Sequence, residues 1–241
     1  MKILGLGLCG PGEADRYLEE TLKEFKRLTD DVIICLCNAG PKEKMLIRKY
    51  GFRSYEDNRE WGYHQPSIKT DLLKRAVQLK MDWHLVLDMD ETVPTVDRTI
   101  LEELTQGRIA CQFYVTNLWN DTKHYAQALG FFNVRFYKHI PGMETQFLRK
   151  SVHCGNAPPF FYAQPPVESY IPHLLLHKGL MTKKDRQHRV VRYQKYDPKC
   201  IHKGKQYYEA LATTFAGSEY TQSIVINRIL IELNKIYDTR K

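Results

Sequence analysis

The chain has 241 residues, 43% hydrophobic and 27% charged, with a formal net charge of +8. That is enough for one α/β domain with a substantial core and a small extension, and the composition is that of a folded domain rather than a disordered one. No apolar run approaches the roughly 20 residues of a membrane span. The six cysteines form no Cys-x-x-Cys or zinc spacing, so reduced, mostly buried thiols are expected. Residues 1–9 lack the pattern of a secretory leader, so a cytoplasmic location is expected.

In chain order, residues 2–8 read as a short strand. A helix is predicted over 14–28, with Leu18, Leu22, Phe25 and Leu28 at helical spacing. Asp31–Cys37 is nearly all apolar, as in a buried parallel strand. A short helix over 41–50 opens on Pro41, and a third strand is expected over 51–55. The spacing of Leu72, Leu73, Ala76 and Val77 predicts a helix over 67–80, followed by a strand ending at Asp88. This alternation predicts a Rossmann-like, mostly parallel central sheet flanked by helices. After Asp90 the pattern changes. A helix over 96–104 precedes strands over 109–116 and 130–137, then a Pro-, Gly- and aromatic-rich stretch over 141–172. Helices are predicted over 182–195, 203–214 and 219–237, the last two forming a helical C-terminal extension, 201–241.

Gly5-x-Gly7-x-x-Gly10 matches the dinucleotide fingerprint as a string. Pro11 and Gly12 follow at once, so no helix opens on the glycines as a pyrophosphate would require. Leu85-Val86-Leu87 instead delivers Asp88 and Asp90 to the end of a strand, where open α/β sheets place ligands. Two carboxylates so spaced can hold a hard divalent cation, which in turn carries phosphate; the bland reading is a polar turn. The ten Lys/Arg between Lys178 and Lys205 face only Asp185 and Asp197, leaving that segment at +8. Such a segment suits a phosphate-rich ligand, an anionic membrane surface or nucleic acid, or is a solvated helix face.

Asp88-Met-Asp90-Glu91-Thr92 resembles two families. As Asp-x-Asp-x-Thr it is similar to the opening motif of haloacid dehalogenase-like phosphatases, with Asp88 as nucleophile. That family places the motif on its first strand and needs a later acidic pair. Here strand–helix units precede Asp88, and downstream carboxylates are scattered. As Asp-x-Asp-Glu it resembles the nucleotide-sugar site of family 2 glycosyltransferases with the GT-A fold. The resemblance continues through Gly12-Glu13-Ala14-Asp15, through the strand ending at Asn38 where that family has Asp, and through Lys69. It extends to Leu118-Trp119-Asn120-Asp121, Asn133-Val-Arg135-Phe-Tyr137, and His177-Lys-Gly179 with the basic residues behind it.

The resemblance implies a metal-dependent glycosyltransferase drawing on a UDP- or GDP-sugar. A GT-A domain would span 1–200, with its nucleotide half over 1–91 and its acceptor and metal-completing half over 92–200. It implies Mn²⁺ or Mg²⁺ held by Asp88, Asp90 and His177, with His153 the competing histidine. Donor contacts would come from Gly10, Glu13, Asn38, Lys69, Asp88, Met89, Arg186 and Arg189. Candidate bases are Asp121, Glu144 and Glu168, since the Arg-x-Asp often carried near 125–129 is replaced by Tyr-Ala-Gln-Ala-Leu. Trp61, Tyr63 and Trp119 either line a sugar site or pack in the core. The acceptor is a saccharide, a lipid-linked group or a protein; no nucleic acid is expected, and the segment 178–205 is the candidate for peripheral membrane contact. A non-catalytic basic binding protein on the same scaffold is the third reading.

Overall fold

The computed structural model describes residues 1–121, 131–143, 147, 149–150, 153–163 and 170–199. The expected helices over 203–214 and 219–237 lie outside the described residues, as do Glu144, Glu168 and the stretch 125–129. The elements are β1 (Ile3–Cys9), α1 (Leu18–Leu28), β2 (Asp31–Cys37), α2 (Pro41–Lys49), β3 (Arg53–Asp57), α3 (Trp61–Val77), β4 (Trp83–Val86) and β5 (Glu91–Thr92). They continue as α4 (Arg98–Leu104), β6 (Ala110–Asn117), β7 (Phe131–Lys138), β8 (Arg149–Lys150), β9 (His153–Cys154), α5 (Phe160–Ala163), β10 (Tyr170–His177) and α6 (Lys183–Tyr196).

Eight strands form one sheet in the order β3-β2-β1-β4-β7-β6-β10-β5. The first four are mutually parallel. β7 then runs antiparallel to both β4 and β6, which makes the second half mixed. Successive side chains of β1 and β2 divide between the two faces. Ile3, Val32 and Ile34 join Leu18, Leu22 and Phe25 of α1 on one side. Leu4, Leu6 and Ile33 join Leu72, Leu73 and Ala76 of α3 on the other. No described helix is long and apolar enough to cross a membrane.

Two helices begin elsewhere than local pattern predicts. α1 opens at Leu18, four residues late, because Glu43 of α2 reaches over. Its carboxylate accepts the N–H groups of Gly12 and Ala14 at 3.0 and 3.1 Å and of Gly40 at 2.9 Å. α3 opens six residues early, at Trp61, and runs through Pro66. An interior proline forfeits a helical hydrogen bond. Packing of this first turn against α6 offsets that cost: a Cβ on Gly62 would lie 2.3 Å from the Tyr196 ring, so only glycine fits.

Polar residues of α1 hold the segment that follows β4. Thr21 Oγ1 donates to the Glu91 carbonyl at 2.9 Å, and the Val93 N–H donates to Glu24 at 3.3 Å. The other end of α1 is tied to α6. Asp185 caps that helix with Thr182 and accepts from Arg16 Nε at 3.0 Å and Tyr17 OH at 2.8 Å. Lys178 pairs with Glu20.

Candidate active site

The acidic motif leaves β4 between the α1 clamp and the last strands of the sheet. β10 lies between β6 and β5, with His177 in register with Asn117 on one side and Glu91 on the other. That register brings His177 beside Asp90, although 87 positions separate them in sequence. His177 Nε2 is 3.4 Å from Asp90 Oδ2, and the Lys178 N–H donates to the Asp90 carbonyl at 2.8 Å.

The imidazole has a defined tautomer. Nδ1 lies 2.6 Å from the Asn117 Oδ1, which can only accept, so Nδ1 carries the proton and Nε2 keeps its lone pair. Burial holds the ring neutral, lowering its pKa to about 4 in spite of nearby Asp90. Arg189 Nη2 donates to that lone pair at 3.0 Å. The floor is bare backbone: a Cβ on Gly179 would lie 2.3 Å from Asp90 Oδ2, 2.6 Å from Arg189 Nη2 and 2.9 Å from His177 Nε2.

Asp88 faces another way. Its Oδ2 accepts from Arg135 Nη2 at 3.2 Å, and the same nitrogen lies 2.5 Å from Glu91 Oε1. Glu91 Oε2 in turn accepts the Asp88 N–H at 2.9 Å. Burial alone would raise the Asp88 carboxyl, but Arg135 and then Lys69 hold it well below the ordinary carboxylate range. Burial dominates at Glu91 and pushes it upward. Arg135 is 2% exposed, and its Nε and Nη1 find no acceptor among the described residues. Glu13 sits close to this group. Burial and then Asp90 push its pKa up to about 7, against the pull of Arg16 and Arg192.

The remaining expected donor contacts are dispersed. Gly10 lies at the end of β1, where a Cβ would touch nothing among the described residues. Asn38 adopts φ 53° and its amide donates to the Asn58 and Arg59 carbonyls at 3.4 and 3.3 Å. An asparagine therefore serves the left-handed turn at the end of β2. Lys69 is buried, donating to the Gly155 carbonyl at 3.0 Å and to Asn156. It lines a pocket with Leu6, Leu72, Asp88, Tyr137 and Asn156. The Met89 side chain is buried under the sheet against Gly7. Arg186 is committed to the Leu180 and Met181 carbonyls at 3.0 and 3.1 Å and stacks 4.1 Å from the Trp119 ring. Asp121 is exposed. The backbone of His153 lies in β9, and its side chain is outside the described residues.

The basic segment divides. Arg186 and Lys178 are buried, Lys195 pairs with Glu60, and Lys183, Lys184 and Lys199 are exposed. Lys203 and Lys205 lie outside the described residues. Trp61 and Trp119 pack under arginines of α6, Trp61 with Arg192 at 5.0 Å, and Tyr63 meets the Tyr196 ring edge-on at 5.0 Å. Sequence reasoning assigned no role to Arg135 and Glu91, although both stand in the motifs that carry the resemblance, and did not single out Asn117 or Glu43. Arg135 left a signal, a charge between apolar neighbours in an alternating strand; Asn117 and Glu43 left none.

Among the described residues no group of three or more His, Cys, Asp or Glu could hold a metal ion. The pair with the chemistry of cation ligands is Asp90 with His177, provided that Arg189 leaves the Nε2 lone pair. It joins a hard oxygen to an imidazole lone pair over a floor that a single methyl would fill.

No protein-family model matches the sequence, and no curated protein does. Solved structures do match. S. aureus TarS aligns at TM-score 0.50 and 10% identity over 82% of this chain and 40% of TarS. This chain thus spans well under half of that protein's length. The TarS fragment 1–349 aligns at TM-score 0.50 and 10% identity, over 88% of this chain and 69% of the fragment. A 4-diphosphocytidyl-2C-methyl-D-erythritol synthase aligns more loosely, at TM-score 0.45 and 14% identity, over 80% of this chain and 98% of that one. The fold is of the GT-A glycosyltransferase-like type.

Proposed function

We propose that the protein transfers a sugar from a nucleotide-diphosphate sugar to an acceptor hydroxyl, using a divalent cation held by Asp90 and His177. The observation that carries this reading is the convergence of Asp90 Oδ2 and His177 Nε2, 3.4 Å apart, over Gly179. It lies just beyond the end of β4, at the ligand-binding edge of an α/β sheet whose fold is of this type. Mn²⁺ or Mg²⁺ bound there supplies Lewis-acid neutralisation of the charge that develops on a departing diphosphate.

The protein's own groups do the rest. Arg135 keeps Asp88 ionised and fixed, and the carboxylate would accept from a ribose hydroxyl of the donor. Lys69, close enough to Asp88 to lower its pKa, adds fixed positive charge to the lining of the pocket. Arg189 and Arg192 bring two more guanidinium groups to the side where a diphosphate would lie. Asp121 is the candidate base among the described residues. The donor is a UDP- or GDP-sugar in this reading, and Lys183 and Lys184 remain exposed for an anionic membrane surface. No specific observation favours the phosphatase.

Thermal shift with a panel of nucleoside diphosphates, with Mn²⁺ and with EDTA, tests the reading. Stabilisation by one nucleotide that requires Mn²⁺ and vanishes in Asp90→Ala supports it. Binding that ignores metal and falls steeply with salt would refute it in favour of a basic binding protein. Turnover of a phosphate ester that stops in Asp88→Asn would refute it in favour of the phosphatase.

A further inference from the structure

A cation at Asp90 and His177 faces a rival that is already seated. His177 has a single lone pair to offer, on Nε2, because Nδ1 is committed to Asn117 at 2.6 Å. That lone pair accepts from Arg189 Nη2 at 3.0 Å. One nitrogen lone pair cannot accept a guanidinium N–H and ligate a cation at the same time. The same Nη2 and Asp90 Oδ2 would both lie within 2.6 Å of a Cβ on Gly179. The guanidinium therefore shares the small space over that glycine with the Asp90 carboxylate.

Arg189 also has somewhere else to go. It belongs to a row at helical spacing on α6, with Arg186 and Arg192 one turn to either side. Arg192 Nε is buried and finds no acceptor among the described residues, so this face has unmet donor capacity. A diphosphate brings two or more negative charges and can take a guanidinium in a two-pronged hydrogen bond, which a single imidazole lone pair cannot.

We infer that, on the donor-site reading above, Arg189 is a placeholder for the cation: it caps Asp90 and His177 in the free protein and swings to the diphosphate when the cation enters. Cation and nucleoside diphosphate then bind cooperatively, because each removes what obstructs the other. By linkage the effect is equal in both directions. The free protein holds cation weakly, and its carboxylate–imidazole pair stays neutralised until a nucleotide arrives.

Mn²⁺ binding measured by electron paramagnetic resonance on the full chain, with and without saturating UDP or GDP, tests this with wild type, Arg189→Leu and Arg189→Lys. Leucine removes the charge without offering a new metal ligand. Wild type should bind Mn²⁺ roughly tenfold or more tightly once the nucleotide is present, as expected for exchanging one charged hydrogen bond. Arg189→Leu should bind Mn²⁺ alone roughly tenfold more tightly than wild type and lose most of the nucleotide effect. Arg189→Lys should keep weak binding of Mn²⁺ alone. A damaged fold cannot produce the gain, so misfolding does not mimic the result. If wild type binds Mn²⁺ with nucleotide through Asp90 and Arg189→Leu binds Mn²⁺ alone no better, the placeholder is overturned while the donor site stands. If wild type binds no Mn²⁺ under either condition, the donor-site reading fails and takes the placeholder with it.

Discussion

Replacing Glu13 by Gln should stabilise the metal-free protein, and should do so only as the pH rises. Burial, then the charge of Asp90, lifts the Glu13 carboxyl from 4.5 to about 7, with Arg16, Arg192 and Asp88 the other charges facing it. Its side chain is 18% exposed, so solvent screens it little. Below pH 4.5 the carboxyl is protonated in both folded and unfolded chains, and the stability linked to it is fully present. Between 4.5 and about 7 the unfolded chain has released the proton while the folded protein retains it, and stability falls as the pH climbs. At about 1.4 kcal/mol for each pH unit the full loss is about 3.5 kcal/mol, of which about 2.5 kcal/mol falls between about pH 5 and pH 8. Glutamine cannot ionise and escapes that loss. Urea unfolding in EDTA, without nucleotide, gives the assay. The stability of Glu13→Gln minus that of wild type should grow by about 2.5 kcal/mol from pH 5 to pH 8. Taking the difference between the two pH values cancels the groups that titrate alike in the two proteins, and the pull of Arg16 is already contained in the raised pKa. A difference that is the same at both pH values would refute the reasoning, because Glu13 would then titrate as an ordinary surface carboxylate.

Gly179→Ala should abolish metal-dependent nucleotide binding by calorimetry while shifting the melting temperature little, since the new methyl meets Asp90, Arg189 and His177 rather than the core; unchanged binding would sink the cradle. Arg135→Met should cost about 3–5 kcal/mol in urea unfolding, because Glu91 and Asp88 lose their shared cation and Glu91 is fully buried. A loss below about 1 kcal/mol would mean the ion triad is not formed in solution. Burial keeps His177 neutral down to about 4, so Mn²⁺ affinity through Nε2 should show no break near the ordinary imidazole value of 6.5. The same lowering costs the free protein stability as pH falls from 6.5 toward 4, where the unfolded chain takes up a proton that the folded one refuses. A midpoint near 6.5 in Mn²⁺ binding would show that the ring is solvated.

The first half of the fold was legible because its signals are local. Apolar runs at Ile3–Cys9 and Asp31–Cys37, with helical spacing between them, dictate strands buried on both faces, and a parallel sheet follows. Asp88 and Asp90 were legible for the same reason, standing directly behind the run that forms β4. Helix starts were not, since α1 is delayed by a carboxylate from α2 and α3 is extended past a proline by a ring from α6. Those partners lie tens of residues or more away, where no periodicity points to them.

The sequence by itself determined that two carboxylates stand at a strand end and that a histidine and a run of arginines come much later. Only the tertiary structure decided which of them meet. Inserting β10 between β6 and β5 sets His177 against Asp90 and Asn117, and the antiparallel pairing of β7 with β4 turns Arg135 toward Asp88. The basic segment read as a possible solvated face, yet packing turned Arg186 inward onto carbonyl groups and Arg189 onto the histidine. Charge and spacing are properties of the chain, but which lone pair a guanidinium occupies depends on strand order and register, and these are fixed only when distant segments bury one another.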